Sequence, residues 1–353
     1  MHTEHYADAI HFMFKKCPQR AILVYGPTGI GKSDIPVSIS KQNNLPLVYA
    51  DCTGMEPTDL TGLPEKDKQE MIVRYFSLEM FKPLYTEPRG IFVLDELTRL
   101  DLQVRHTIMP VLVRRVLPSG QKINDGWLLI GTANPQDEDY QVAELDKALL
   151  RRMIVVPLSF NLNAWREWGV NHGISGRVLT AAGRLSGTLN RTIDKPMEQI
   201  CTPFGLEVVS DLIKAGVHEL DPELEFTLLS GAVGDTAAGV IQKDLNDEAM
   251  NKLLQKALAG EKIDAPHDQM VNLVYLFWEE AQKDIKKHID ATTNLYNCLS
   301  NDIRMLLVRI AYDRMVQFPE DFGKVIDQWS DWCTQQLKVL GMIQKKKRQL
   351  GGI

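Results

Sequence analysis

The octapeptide Gly26-Pro27-Thr28-Gly29-Ile30-Gly31-Lys32-Ser33 constrains this chain more than any other feature. Few loops place glycines, a lysine and a hydroxyl in this order. Its flanks supply the required context: Ala21-Ile22-Leu23-Val24-Tyr25 is apolar and β-branched enough to be a buried parallel strand, and Asp34 onward can open a helix. Glycine at 26, 29 and 31 lets the backbone take positive φ and turn its amides inward, so that N–H donors and a helix N-terminus face a phosphate chain. Lys32 then adds a point charge at the β and γ oxygens, and Ser33 a hydroxyl ligand for Mg2+. The plainer alternative is a glycine-rich turn that matches by chance.

Up to about residue 158, apolar runs alternate with helical stretches, which predicts an α/β fold with one parallel sheet and crossover helices on both faces. The predicted strands are Ala21–Tyr25, Leu47–Ala50 ending at Asp51, Ile91–Leu94 ending in Asp95-Glu96, Leu128–Thr132, and Ile154–Val156. In a doubly wound sheet the ligand binds beyond the carboxyl ends of the strands, where Gly26, Asp95 and Asn134 would converge. Asp95 closes a strand able to lie beside the phosphate-loop strand, so its carboxylate can hold Mg2+ through water. Glu96 can orient an attacking water at the γ-phosphate. Acids often mark strand exits, but this pair follows a phosphate loop. Asn134, in Gly131-Thr132-Ala133-Asn134-Pro135, is a turn starter before proline by itself; beside Asp95-Glu96 its amide can share that water.

At 353 residues the chain exceeds one ordinary domain. The expected division is a nucleotide-binding α/β core over 1–158, a helical lid over 159–245 and a helical C-terminal extension over 246–353. No apolar stretch approaches a membrane span, and the polar start Met1-His2-Thr3-Glu4-His5 has no apolar signal segment, so no membrane role is expected. The five cysteines lack metal-ligand or disulfide spacing, pointing to a reducing, cytoplasmic compartment. The eight histidines are dispersed without paired ligands, which argues against zinc. A net charge of −6 disfavours a broad nucleic-acid surface.

Past residue 158 the sequence reads as helix. Trp165, Trp168, Val170, Val178 and Leu179 suit lid packing; Val271, Val274, Tyr275 and Trp278 form one apolar stripe, and Leu306, Leu307 and Ile310 another. A last predicted helix, 324–340, carries Trp329 and Trp332, read as core before partner surface. The Lys345-Lys346-Lys347-Arg348 cluster is read as a solvated tail before a nucleic-acid contact.

The segments GPTGIGKS, IFVLDELTR, GTANP and LDKALLRRM resemble the ATPase core of AAA+ proteins, and more narrowly the MoxR-like, dynein-related branch. Two further stretches are similar to that branch: Glu56–Pro64 to its loop after the second strand, and Gly173-Ile174-Ser175-Gly176-Arg177 to its sensor-2 motif. Phe226–Asp235 resembles the end of its lid. The resemblance spans roughly residues 1–245. It implies a P-loop ATPase using ATP and Mg2+, with Lys32 and Ser33 on Walker A, Asp95 and Glu96 on Walker B, and Asn134 as sensor 1. It also implies an arginine finger acting on the neighbouring subunit's γ-phosphate, matched best by Arg152 with Arg151 in reserve. A planar, fixed guanidinium stabilises charge spreading over the phosphoryl oxygens. Arg177 falls on sensor 2, where the chain has Gly176 in place of the family's usual proline.

The resemblance further implies a homo-oligomeric ring, expected to be a hexamer. The leading expectation is a chaperone-like ATPase that remodels or matures a protein client, together with a von Willebrand factor A domain partner. One alternative is a nucleic-acid motor, for which Lys66, Lys68 and Lys122 are the obvious pore cations. Another is a nucleotide-gated assembly module with negligible hydrolysis, against which Glu96 speaks.

Overall fold

The apolar strand segments do assemble into one sheet. A computed structural model describes residues 1–134, 147–187, 189 and 199–317, and the chain divides into two units, Met1–Asn161 and Leu162–Ile353. The first unit holds β1 (Ile22–Tyr25), β2 (Leu47–Asp51), β3 (Leu63–Asp67), β4 (Ile72–Phe76), β5 (Arg89–Asp95), β6 (Gly126–Ala133) and β7 (Ile154–Pro157). Five of these form a parallel sheet in the order β2-β5-β6-β1-β7. The strand order corrects one expectation. β5 does not lie beside the phosphate-loop strand: β6 sits between them, pairing Ile22 with Ile130 on one side and Ile91 with Leu128 on the other.

Alternation along each strand supplies both faces of the sheet with apolar side chains. Ile22, Val24, Ile91, Val93, Leu128 and Ile130 point to one face, where helix Thr3–Lys16 buries Tyr6, Ile10, Met13 and Phe14. Leu23, Val48, Phe92, Leu94 and Leu129 point to the other, covered by Val104, Ile108 and Val111 of helix Leu102–Arg114. Each such side chain removed from water contributes about 1.5–3 kcal/mol. This two-sided burial is what holds the strand tips in a common row.

A second sheet, absent from the sequence reading, is the antiparallel hairpin β3–β4, with Leu63 opposite Phe76 and Asp67 opposite Ile72. Its turn is set by Asp67, whose Oδ1 accepts from the amides of Gln69 (3.0 Å) and Glu70 (3.1 Å), and Met71 adopts positive φ. The segment Glu56–Pro64, read as a loop, holds a short helix, Pro57–Thr61, and the start of β3.

The second unit is helical. Helix Gly176–Arg184 packs against Leu162–Asn171, Pro203–Lys214, Asp235–Leu245 and His267–Ala281. The expected apolar stripe on His267–Ala281 is broader than one face: Met270 and every residue from Asn272 to Trp278 are buried, so this helix lies inside the unit. Trp165, Val170, Val178 and Leu179 are buried, whereas Trp168 is exposed and stacks on His172. Leu307 and Ile310 are buried on helix Asn301–Gln317. Trp329, Trp332, the 345–348 cluster, Pro135 and the Leu145-Asp146 start of the LDKALLRRM segment lie outside the described residues. Among those described, no helix is long and apolar enough to cross a membrane, and Cys17, Cys52, Cys201 and Cys298 are free.

Candidate functional site

The phosphate-loop sequence folds as a turn between β1 and helix Asp34–Gln42. Gly29 and Gly31 take φ of 74° and 86°. Gly26 is there for a different reason from the expected one, since it does not share that positive φ. A Cβ at this position would collide with the Leu158 carbonyl at the end of β7 and approach Ile30 Cδ1 to 3.0 Å. Pro36 occupies the first turn of the helix, where a missing N–H costs nothing. Ser33 stands at the helix N-cap without capping it; its hydroxyl donates to Asp95 Oδ1.

Lys32 is 7% exposed, and its Nζ donates to the carbonyls of Gly26 (2.9 Å) and Pro27 (2.7 Å). Burial lowers its pKa from 10.5 to about 8, against the opposing pull of Glu96 and Asp95. Behind it, the buried hydroxyl of Tyr6 donates to the Lys32 carbonyl at 3.2 Å and fixes the loop to the N-terminal helix.

At the carboxyl ends of β5 and β6, Asp95, Glu96, Thr132 and Asn134 form one polar network. Asp95 Oδ1 accepts from Ser33 and Thr132, and Oδ2 from Tyr49 on β2. The Glu96 amide donates to Thr132 Oγ1 at 2.9 Å, and Asn134 Nδ2 donates to Glu96 Oε1 at 2.8 Å. Glu96 has φ 60° and ψ 45°, left-handed backbone that costs a non-glycine residue about 1–2 kcal/mol. That turn throws its carboxylate toward Asn134 instead of along the strand. Glu96 Oε2 lies 2.6 Å from Arg99 Nε in an ion pair whose angles fall short of a hydrogen bond. Both Glu96 oxygens are therefore engaged.

The donor set fits a hard cation. Ser33 and Asp95 offer hydroxyl and carboxylate oxygen, the ligands Mg2+ accepts while keeping water and substrate phosphate for its remaining positions. Among the described residues no group of three or more His, Cys, Asp or Glu side chains is placed to hold a metal ion.

The structure thus brings Lys32, Ser33, Asp95, Glu96 and Asn134 into one site. Pro27, Thr28 and Ile30 complete the loop, Ile30 being buried and Thr28 exposed. Arg151 and Arg152 are both exposed, on the turn before β7. Arg177 lies in the helical unit, where Nη1 donates to the Asp244 carbonyl at 3.0 Å and Nη2 to Asn251 Oδ1. Burial lowers its pKa, with Glu279, Asp247 and Asp244 opposing. The glycine at 176 has a physical reason here. Its N–H donates to Glu279 Oε2 at 2.8 Å, and a Cβ would stand 2.9 Å from the Tyr275 carbonyl, so proline is excluded twice over. Sequence reasoning missed Tyr49, Thr132 and Arg99; only the i,i+3 spacing of Arg99 from Glu96 was a usable signal.

Residues 21–153, the span from β1 to the turn before β7, match the family model described as AAA domain (dynein-related subfamily). This α/β core has the AAA+ fold. Solved structures similar to it include NtrX from Brucella abortus in complex with ADP, 17% identical, covering 88% of this chain and 67% of that one at a TM-score of 0.33. A variant of RuvB from Thermotoga maritima is 13% identical and covers 74% of this chain and 78% of that one at a TM-score of 0.41. No curated protein matches the sequence.

Proposed function

We propose that this AAA+ protein is a Mg2+-dependent ATPase of the MoxR-like kind. In this reading it works as a homo-oligomeric ring, a hexamer, that remodels a protein client with a von Willebrand factor A type partner. The observation that carries the hydrolytic part is the pairing of Glu96 with Asn134 beside an Asp95 tied to Ser33. A strand tip that served only as a stop would have no use for a left-handed glutamate aimed at an amide.

In this reading the amides of residues 28–31 and Lys32 hold the triphosphate, Ser33 and Asp95 hold Mg2+, and Glu96 with Asn134 orients the attacking water. Mg2+, when bound, neutralises charge on the phosphates. Arg152, or Arg151 in its place, is the finger offered to the neighbouring protomer; its exposure in the isolated chain suits a residue that works across a subunit boundary. Arg177 is the sensor-2 arginine, and residues 159–245 the lid. The protein-client part rests on the resemblance of Glu56–Pro64 and on the acidic net charge.

Nucleotide binding measured beside phosphate release tests this reading. Glu96→Gln is expected to keep ATP bound and lose about 10²–10⁴-fold in turnover. Arg152→Ala is expected to keep binding and lose about 10³-fold or more. Normal turnover in Arg152→Ala removes the finger. ATPase stimulation by duplex DNA but not by a co-purifying protein overturns the client reading in favour of a nucleic-acid motor.

A further inference from the structure

Asp95 is held by more hydroxyls than a metal-binding carboxylate needs. Ser33 comes from the phosphate loop and Thr132 from β6, and both donate to Oδ1. The third donor is Tyr49, on the edge strand β2, whose backbone pairs with Val93 while Asp51 pairs with Asp95. The residue is 39% exposed, yet its hydroxyl is committed to Asp95 Oδ2. Tyr49 belongs to neither apolar core cluster of the sheet, so its hydroxyl contact is not a by-product of core packing.

Each carboxylate oxygen accepts two hydrogen bonds. With Ser33 and Thr132 on Oδ1, that oxygen is filled. Tyr49 on Oδ2 leaves a single acceptor position on Asp95, whose direction is set by where Tyr49 donates. We propose that Tyr49 is a positioning residue for the Mg2+ site, fixing the rotation of the Asp95 carboxylate so that its one remaining acceptor meets the metal's hydration shell. Outer-shell hydrogen bonds of this type orient a ligand before the metal arrives, and their loss commonly weakens binding about 10–100-fold. The role rests on the Mg2+–nucleotide reading above and deepens it.

The test is a Mg2+ titration of fluorescent-ATP binding to the full chain, wild type against Tyr49→Phe, with a parallel series in EDTA and thermal melts without nucleotide. Phenylalanine keeps the ring and removes only the donor. The Mg2+ concentration for half-maximal binding is expected to rise about 10-fold or more in Tyr49→Phe, with metal-free nucleotide binding and the melting temperature unchanged. An unchanged Mg2+ midpoint overturns the proposal. So does an equal loss of binding with and without metal, which would make Tyr49 part of the fold or of the nucleotide pocket. A wild-type protein that binds no nucleotide in either series removes the parent reading itself, an outcome distinct from a Tyr49-specific failure.

Discussion

Replacing Lys32 with methionine should stabilise the nucleotide-free protein while abolishing its response to nucleotide. Burial lowers the lysine from 10.5 to about 8, and at about 1.4 kcal/mol per pH unit the charged form costs the empty fold about 3 kcal/mol. Methionine removes that cost and keeps the stem's packing, but loses the hydrogen bonds to Gly26 and Pro27, worth about 1 kcal/mol each. The balance is a gain of about 1 kcal/mol, or about 2–4 °C in melting temperature for a unit of this size. The sign with pH follows. Below pH 8 the lysine is charged in both folded and unfolded chains and the full cost stands. Between 8 and 10.5 only the unfolded chain holds the proton, so wild-type stability recovers relative to the variant as pH rises. Melts at pH 7 and pH 9, with and without Mg2+–ATP, read both effects. At a nucleotide concentration about 100 times Kd, wild type gains about 2.7 kcal/mol and the variant nothing. A methionine variant that melts below wild type at pH 7 without nucleotide refutes the reasoning, because the buried ammonium would then be a net source of stability.

Two further substitutions probe the same strand tips. Arg99→Ala frees Glu96 Oε2 from a pair whose arginine side chain is 43% exposed. Such pairs are worth about 0.2–1 kcal/mol, so basal phosphate release is expected to rise, by about five-fold at most, with little change in melting temperature; a fall in turnover would mean that Arg99 holds Glu96 in its working pose. Gly26→Ala drives a methyl into the Leu158 carbonyl and toward Ile30, and should destabilise the unit by about 1–3 kcal/mol and eliminate nucleotide binding. Thermal melts and fluorescent-ATP binding check both consequences, and an alanine variant that binds normally would show that the loop has room to relax.

The sheet strands were legible because each is a short apolar run closed by a turn residue or an acid, as in Ile91-Phe92-Val93-Leu94 before Asp95. Their lateral order was not, since nothing in β5 alone states that β6 will separate it from β1. The hairpin was lost because Pro64-Glu65-Lys66-Asp67 looks like loop, even though Ile72-Val73-Arg74-Tyr75-Phe76 has strong strand propensity; a strand pairs with a partner, and the partner here is the polar one. The phosphate loop and the acidic pair announced themselves by spacing. Tyr49 and Thr132 did not, because a hydroxyl inside an apolar strand reads as strand filler until the neighbouring strand is known.

Two site residues that the sequence did announce take states it did not, and the cause bears on how the site works. Lys32 is buried against its own preference for water, and Glu96 takes a left-handed backbone against its own preference for strand or helix. Neither residue would adopt that state in an isolated peptide. The compensation comes from the apolar faces of the sheet, where Leu94 and Leu129 are fully buried and Leu97, directly after Glu96, is 1% exposed. Packing Leu97 pins the turn that forces Glu96 outward, so the strain falls on the one residue whose carboxylate must leave the strand direction to meet Asn134. On this argument a change that loosens the core under Leu97 should degrade hydrolysis before it degrades nucleotide binding, because the phosphate loop is anchored separately through Tyr6 and the N-terminal helix. Leu97→Ala, compared with Ile10→Ala, distinguishes the two anchors. The first should lose turnover while retaining ATP and the second should lose ATP affinity, each with a stability loss of about 2–5 kcal/mol; equal effects of both on binding would show that the two supports are mechanically one.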